Sequence, residues 1–179
     1  MTYKTTFISP IGSIILASDG ENLTGLWNEN QKYHGEQKYQ NMIIQNELDV
    51  FYQTKKWLDA YFAGQAPSLK DIHMLPMGSQ FRQIVWNILL NIPYGKVITY
   101  GDIAKKVVQK TGKQNMSSQA VGGAVGHNPI SVIIPCHRVV GSNGSLTGYA
   151  GGIQTKIKLL ELEGVDISNF FVPKKGTAL

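Results

Sequence analysis

Three short runs rich in β-forming residues, 3–8, 14–18 and 23–27, are divided by Pro10 with Gly12 and then by Asp19-Gly20-Glu21-Asn22. That alternation of strand-formers and turn-formers predicts a small antiparallel meander. Residues 28–41 are polar and read as loop. Leu48, Phe51, Tyr52, Leu58 and Phe62 then recur at helical spacing and stop at Gly64, which predicts a helix over 47–63. Residues 65–78, with Pro67, Pro76 and Gly78, read as a linker, so a domain boundary is expected near residue 76.

Beyond it the pattern is strongly helical. Phe81, Ile84, Val85, Ile88, Leu89 and Ile92 form a continuous apolar stripe, with Ser79 placed as N-cap and Pro93 and Gly95 as the stop. A short helix follows over 101–109, with Thr99 or Tyr100 near its start. After a basic turn, a second helix over 119–125 is capped by Ser117 or Ser118. Two short helices joined by a turn outline a helix-turn-helix, although this turn exceeds the usual length. Gly122, Gly123 and Gly126 each cost roughly 1 kcal/mol against alanine in a helix. A slim helix of this kind serves close packing on helix 80–92, or close approach to an outside backbone such as DNA.

Val132-Ile133-Ile134 predicts a buried strand that Pro135 ends by removing a donor. Cys136 then stands where that strand emerges, beside His137 and Arg138. A lone cysteine is ordinarily a small buried hydrophobe. Neighbouring positive charge changes this, because it lowers a thiol from ~8.5 toward neutrality and raises its thiolate fraction. Residues 141–152 hold five glycines in twelve positions, a loop able to approach a ligand closely. Ile153, Ile157 and Leu160 mark the buried face of a helix ended by Gly164, and Glu163 points to that same side. A carboxylate there opposes the helix dipole and is costly to bury, so a partner is expected, with His137 the candidate.

Composition narrows the function. The 179 residues suffice for one domain or two small ones. No apolar run approaches the ~20 residues that span a bilayer, and Met1-Thr2-Tyr3-Lys4-Thr5 lacks the features of a secretory signal. An intracellular protein is expected, with no membrane association. One cysteine excludes an internal disulfide and a multi-thiolate zinc site. Residues 1–75 carry six lysines against eight acids, whereas 76–179 carry eleven basic residues against four acids. The second part is therefore basic, whether as a merely cationic surface or as one facing a polyanion.

Ile134-Pro135-Cys136-His137-Arg138-Val139 resembles the active-site motif of the O6-alkylguanine-DNA alkyltransferases (methylated-DNA–protein-cysteine methyltransferases). Ala120-Val121-Gly122-Gly123-Ala124, Asn128-Pro129, Tyr149-Ala150-Gly151-Gly152 and Glu163-Gly164 look like that family too. The similarity covers nearly all of 79–164 in order and spacing. It implies an α/β protein: a small, ribonuclease H-like amino-terminal sheet plus helix over 1–75, and a mainly helical DNA-binding and alkyl-acceptor domain over 76–179.

The resemblance also implies roles. Cys136 is the nucleophile, activated through a water by His137, which Glu163 orients, and Tyr100 donates to the guanine as the alkyl group leaves. The carbonyls of Cys136 and Val139 read the exocyclic amine, and the Ala150 N–H reads the alkylated oxygen. Tyr149 forms a pocket wall, and Asn128 joins the recognition helix to the active-site strand. Gln119, Ala120, Gly122 and Gly123 lie on the helix entering the minor groove. Many relatives carry arginine at position 119, filling the gap left by a flipped base; here Gln119 brings no charge, and Arg138 or a nearby lysine is expected to help. The expected partner is double-stranded DNA containing alkylated guanine, engaged by a monomer without metal or organic cofactor. A thioether product offers water no electrophilic carbonyl, so one turnover per molecule is expected.

Three other readings compete. A non-catalytic lesion-binding relative would lack a reactive cysteine. A cysteine hydrolase would need His34, His73 or His127, since neighbours on an extended strand face opposite ways. A plain helix-turn-helix regulator leaves Tyr100, Glu163 and the Pro-Cys-His-Arg segment without a task.

Overall fold

The structure, a computed structural model, describes residues 1–29, 31 and 41–173. Residues 30 and 32–40 of the loop expected over 28–41 lie outside them. The chain divides into two compact units, Met1–Met77 with Pro129–Ser131, and Gly78–Asn128 with Val132–Leu179.

In the first unit β1 (Tyr3–Ser9), β2 (Gly12–Ser18) and β3 (Leu23–Asn28) form the expected meander. Phe7 pairs with Ile14, and Leu16 with Leu26. A two-residue β4 (Ile43–Ile44) joins β1 in parallel, giving the order β3-β2-β1-β4. Alternation buries Ile14 and Leu16 on one face. Helix α1 (Asp49–Phe62) buries Val50, Phe51, Thr54, Trp57, Leu58 and Tyr61. Tyr52, read as an apolar position, is exposed.

The expected linker is partly built into this unit. The Leu23 N–H donates to the His73 carbonyl at 2.8 Å, and the Leu75 N–H to the Leu23 carbonyl at 2.9 Å. Further along β3, the Leu26 N–H donates to Pro129 O at 2.8 Å and Leu26 O accepts from the Ser131 N–H at 2.7 Å. Residues 129–131 thus pair with a strand more than a hundred positions earlier in the chain, an excursion the pattern did not predict.

The second unit opens with α2 (Gln80–Leu90), where Ser79 Oγ accepts from the Arg82 N–H. Its buried face is Val85, Trp86, Ile88 and Leu89; Phe81 and Ile84 are half-exposed, and Trp86 lies off the predicted stripe. The Trp86 indole donates to the Ala124 carbonyl at 3.0 Å, which settles its buried polar atom. Two-residue strands β5 (Ile98–Thr99) and β6 (Val139–Val140) run parallel. Thr99 caps α3 (Tyr100–Thr111), accepting from the Asp102 N–H at 3.1 Å while its hydroxyl donates to the Asp102 carboxylate at 2.7 Å. Gly112, in the left-handed region at φ 69°, ends α3, and Ser117 caps α4 (Ser118–Gly126).

Residues 132–134 are not a strand. They form turns, with Val132 at φ 69°, although all three side chains are buried. The chain leaves its pairing with β3 at Ser131 and must reverse at once. The apolar run therefore acquires burial without a ladder, and the Asn128 side-chain amide satisfies the Ile134 carbonyl at 2.8 Å. Helix α5 (Ile153–Leu162) buries Lys156, Leu159 and Leu160 rather than the predicted Ile153 and Ile157, which are half-exposed. Val140, Leu146 and Leu160 make a separate small core with Val165, Ile167 and Phe170 packed on it.

Candidate active site

Cys136 begins a single 3-10 turn, Cys136–Arg138, immediately before β6. It is 5% exposed. The Asn128 side-chain amide donates to its Sγ at 3.1 Å. One amide therefore ties the residue two past α4 both to the Cys136 sulfur and to the Ile134 carbonyl. Because the segment turns rather than extends, strand alternation does not govern how Cys136 and His137 point, and that argument against a hydrolase falls.

Glu163 closes α5 as C-cap, followed by Gly164 at φ 73°. Its Oε1 accepts from His137 Nε2 at 2.7 Å and Arg138 Nη2 at 2.9 Å; Oε2 accepts from Arg138 Nε at 2.8 Å and the Gly95 N–H at 3.1 Å. Burial pushes this carboxyl up, but the hydrogen bonds from His137 and Arg138 outweigh it, and the group lies at about 2. An ionised Glu163 only accepts, so Nε2 of His137 carries the ring proton and Nδ1 the lone pair. Desolvation holds His137 below its ordinary value against the pull of Glu163, leaving a neutral imidazole with a basic Nδ1.

Arg138 is spent inside the protein. Besides its fork on Glu163, it donates from Nη1 to the Ile92 carbonyl at 2.6 Å, lies over the Tyr94 ring, and is 9% exposed. The expectation that it reaches DNA is therefore corrected: the guanidinium braces the acid that holds His137.

Tyr100 reaches the same place from α3. Pairing of β5 with β6 sets Thr99 against Val140, and Tyr100 opens α3 directly after it. Its hydroxyl donates to the Thr147 carbonyl at 3.2 Å. Burial, and then the charge of Cys136, push it up to about 12. Tyr149 is buried, its ring edge-on to His137 at 6.5 Å between centroids; burial, with Cys136 adding to it, holds its hydroxyl well above the ordinary range. Ala150 is half-buried in the following turn. The Val139 carbonyl accepts from Lys156 Nζ, and the Cys136 carbonyl from the Val139 N–H. Each carbonyl oxygen keeps a second lone pair.

Sequence reasoning missed Lys156, which is 0% exposed. It also missed the individual need for Gly148, a left-handed residue at φ 74° under the Tyr100 hydroxyl. A lysine at an interior helix position was the available signal for the first.

On α4, Val121, Ala124 and Val125 pack inward, while Gln119, Ala120 and Gly123 are exposed. Gly122 lies against the Tyr100 ring, where a β-carbon would make ordinary contact at 3.8 Å; at Gly123 it would meet nothing within 4 Å. Internal packing therefore does not account for the glycine at 123. Lys105, Lys106, Lys110 and Lys113 are all exposed on α3 and the turn after it. Two surface cavities of about 470 Å³ lie elsewhere, one lined by Ile88, Ile92 and Val97, the other by Ala104, Val108 and Met116.

A buried thiol, a carboxylate-bound imidazole, a buried phenol and two helices joined by a turn are thus gathered in the second unit. Residues 80–165 match the 6-O-methylguanine DNA methyltransferase DNA binding domain, and residues 2–76 the ribonuclease-like domain of the same proteins. The methylated-DNA–protein-cysteine methyltransferase of Methanosarcina acetivorans is 44% identical over 90% of this chain and 98% of its own. That of Haemophilus influenzae is 39% identical over 91% and 87%. The crystal structure of Mycobacterium tuberculosis OGT in complex with DNA superposes with a TM-score of 0.79 at 39% identity, covering 94% of each chain. The chain belongs to the 6-O-methylguanine DNA methyltransferase family.

Proposed function

We propose that this protein repairs DNA by moving an alkyl group from O6 of guanine to Sγ of Cys136, once per molecule. The observation that carries this reading is Cys136 in its setting: a sulfur held by Asn128, next to a neutral His137 oriented by a buried Glu163. The Cys136 thiol passes its proton, through a water, to Nδ1 of His137. The thiolate attacks the alkyl carbon, the S–C bond forms as the C–O bond breaks, and the electron pair stays on the guanine. Tyr100 keeps its proton at neutral pH and donates to the guanine as that charge develops. The product S-alkylcysteine has no hydrolysable bond, so the protein is consumed.

Duplex DNA carrying alkylated guanine is the partner, with O4-alkylthymine a second substrate of the same chemistry. Residues 76–179 serve DNA binding and alkyl acceptance, and residues 1–75 form the amino-terminal sheet-plus-helix domain, in an intracellular monomer. No helix among the described residues is long and apolar enough to cross a membrane. The exposed small face of α4 enters the minor groove, and the damaged nucleotide is flipped, at a cost of a few kcal/mol that weakened pairing reduces. Gln119 supports the gap by hydrogen bonding, without help from Arg138. The low exposure of Cys136 means the surrounding side chains open to admit the base. There the carbonyls of Cys136 and Val139 face the exocyclic amine, the Ala150 N–H faces O6, and Tyr149 walls the site.

The test is intact-mass and peptide measurement after incubation with a methylguanine duplex. A gain of one methylene on Cys136, absent in Cys136→Ala despite retained DNA binding, supports transfer. Binding without any gain would instead make the protein a lesion sensor.

A further inference from the structure

We propose that Lys156 is a positioning residue for alkyl transfer, holding the carbonyls of Val139 and Thr147 together on one buried ammonium and setting its charge toward the Cys136 sulfur. This rests on the functional reading above and adds to it the source of the positive charge.

Lys156 is 0% exposed, on a helix face it shares with Leu159, Leu160 and Glu163. A buried ammonium is costly unless its protons are taken. Here Nζ donates to Val139 O, in the strand directly after the cysteine turn, and to Thr147 O at 2.7 Å. Thr147 O is also the acceptor of the Tyr100 hydroxyl. One side chain thus joins the backbone carrying the nucleophile to the carbonyl that places the proton donor.

Charge accounting leads to the same residue. His137 is neutral, because desolvation lowers it. Arg138 is paired with Glu163 through two hydrogen bonds, from Nε to Oε2 and from Nη2 to Oε1. Tyr100 and Tyr149 are protonated and carry no charge. Lys156 remains. Desolvation draws it down to about 8, and a thiolate at Cys136 pulls in the opposite direction, toward the ammonium. Such an interaction is mutual: ammonium and thiolate each favour the other's charged form.

Two measurements test the proposal. In Lys156→Met, the thiolate titration of Cys136, followed by ultraviolet absorbance, should move up by at least roughly one unit, and transfer at neutral pH should fall roughly tenfold. Raising the pH should recover the rate. A wild-type rate and titration in a folded Lys156→Met overturns the proposal. So does a rate lowered equally at every pH, which is the mark of lost packing alone. The second measurement uses the unsubstituted protein. Side-chain lysine resonances are titrated before and after Cys136 is capped by methyl methanethiosulfonate. The Lys156 midpoint should fall on capping, since the thiolate that favoured the ammonium is gone; an unmoved midpoint overturns the proposal. Capping needs neither DNA nor a stable variant. It therefore decides even if Lys156→Met does not fold, and a failure of the repair reading would be seen separately as no transfer by the unsubstituted protein.

Discussion

A β-carbon on Gly148 would fall inside van der Waals contact of the Tyr100 hydroxyl. The glycine is left-handed, at φ 74°, and directly follows Thr147, whose carbonyl accepts that hydroxyl's proton. Gly148→Ala therefore has two costs, an unfavourable φ of ~1 kcal/mol and a displaced ring. The expected result is a lower melting temperature and transfer slowed at least roughly tenfold in single-turnover assays. Tyr100→Phe keeps the ring and loses the proton donor, so it should slow transfer while leaving melting and DNA affinity nearly unchanged. A normal rate in either variant would remove Tyr100 from the chemistry.

Glu163→Gln removes the charge that His137 and Arg138 share. Leaving the buried guanidinium without its carboxylate should cost about 3–5 kcal/mol in denaturant unfolding. The pH dependence has a definite sign. The folded carboxyl lies at about 2, below its ordinary 4.5. Its contribution is full above pH 4.5 and is lost as pH falls toward 2. Acid unfolding of the unsubstituted protein should be steep in that interval and shallower in Glu163→Gln. Equal acid slopes would contradict the assignment.

Position 123 separates internal packing from an outside contact. An alanine there meets nothing within 4 Å, so Gly123→Ala should raise helix stability by ~1 kcal/mol. The same methyl would stand between α4 and a groove wall. Thermal melting should rise while affinity for duplex DNA drops; unchanged affinity would mean that this face never approaches DNA.

Binding should also weaken steeply with salt. If Lys105, Lys106, Lys110 and Lys113 each neutralise one phosphate, the plot of log affinity against log salt has a slope of about −3 to −4. Replacing any one by alanine should reduce that slope by roughly one. A flat response would exclude a polyanion partner.

Most of the framework was legible in the sequence because local rules and tertiary demands agree there. The meander, the Ser79 cap, the start of α3 at Thr99 or Tyr100 and the stop of α5 near Gly164 all follow from turn and capping chemistry. The pairing of Glu163 with His137 was also legible, because a buried carboxylate at a helix end needs a partner.

The misses share a cause. Val132-Ile133-Ile134 is apolar because it is buried, and burial alone does not distinguish a strand from a turn. Trp86 and Lys156 were passed over because each carries a polar atom, and apolar stripes are read from apolar residues. Their partners, the carbonyls of Ala124 and of Val139 and Thr147, lie far along the chain or across a loop. Arg138 looked like a DNA ligand for the same reason: sequence shows a charge but not the acid that consumes it.

Residues 129–131 bear on how such a protein can be inherited. They complete the β3 edge of the first unit, yet they lie between α4 and Cys136 in the chain. A gene cut after Met77 therefore transfers a sheet lacking one of its neighbours and leaves behind a stretch shaped for an absent edge. Chimeras exchanging the halves should work best when these three positions travel with the front half, which gives the pair a reason to evolve as a single unit of descent.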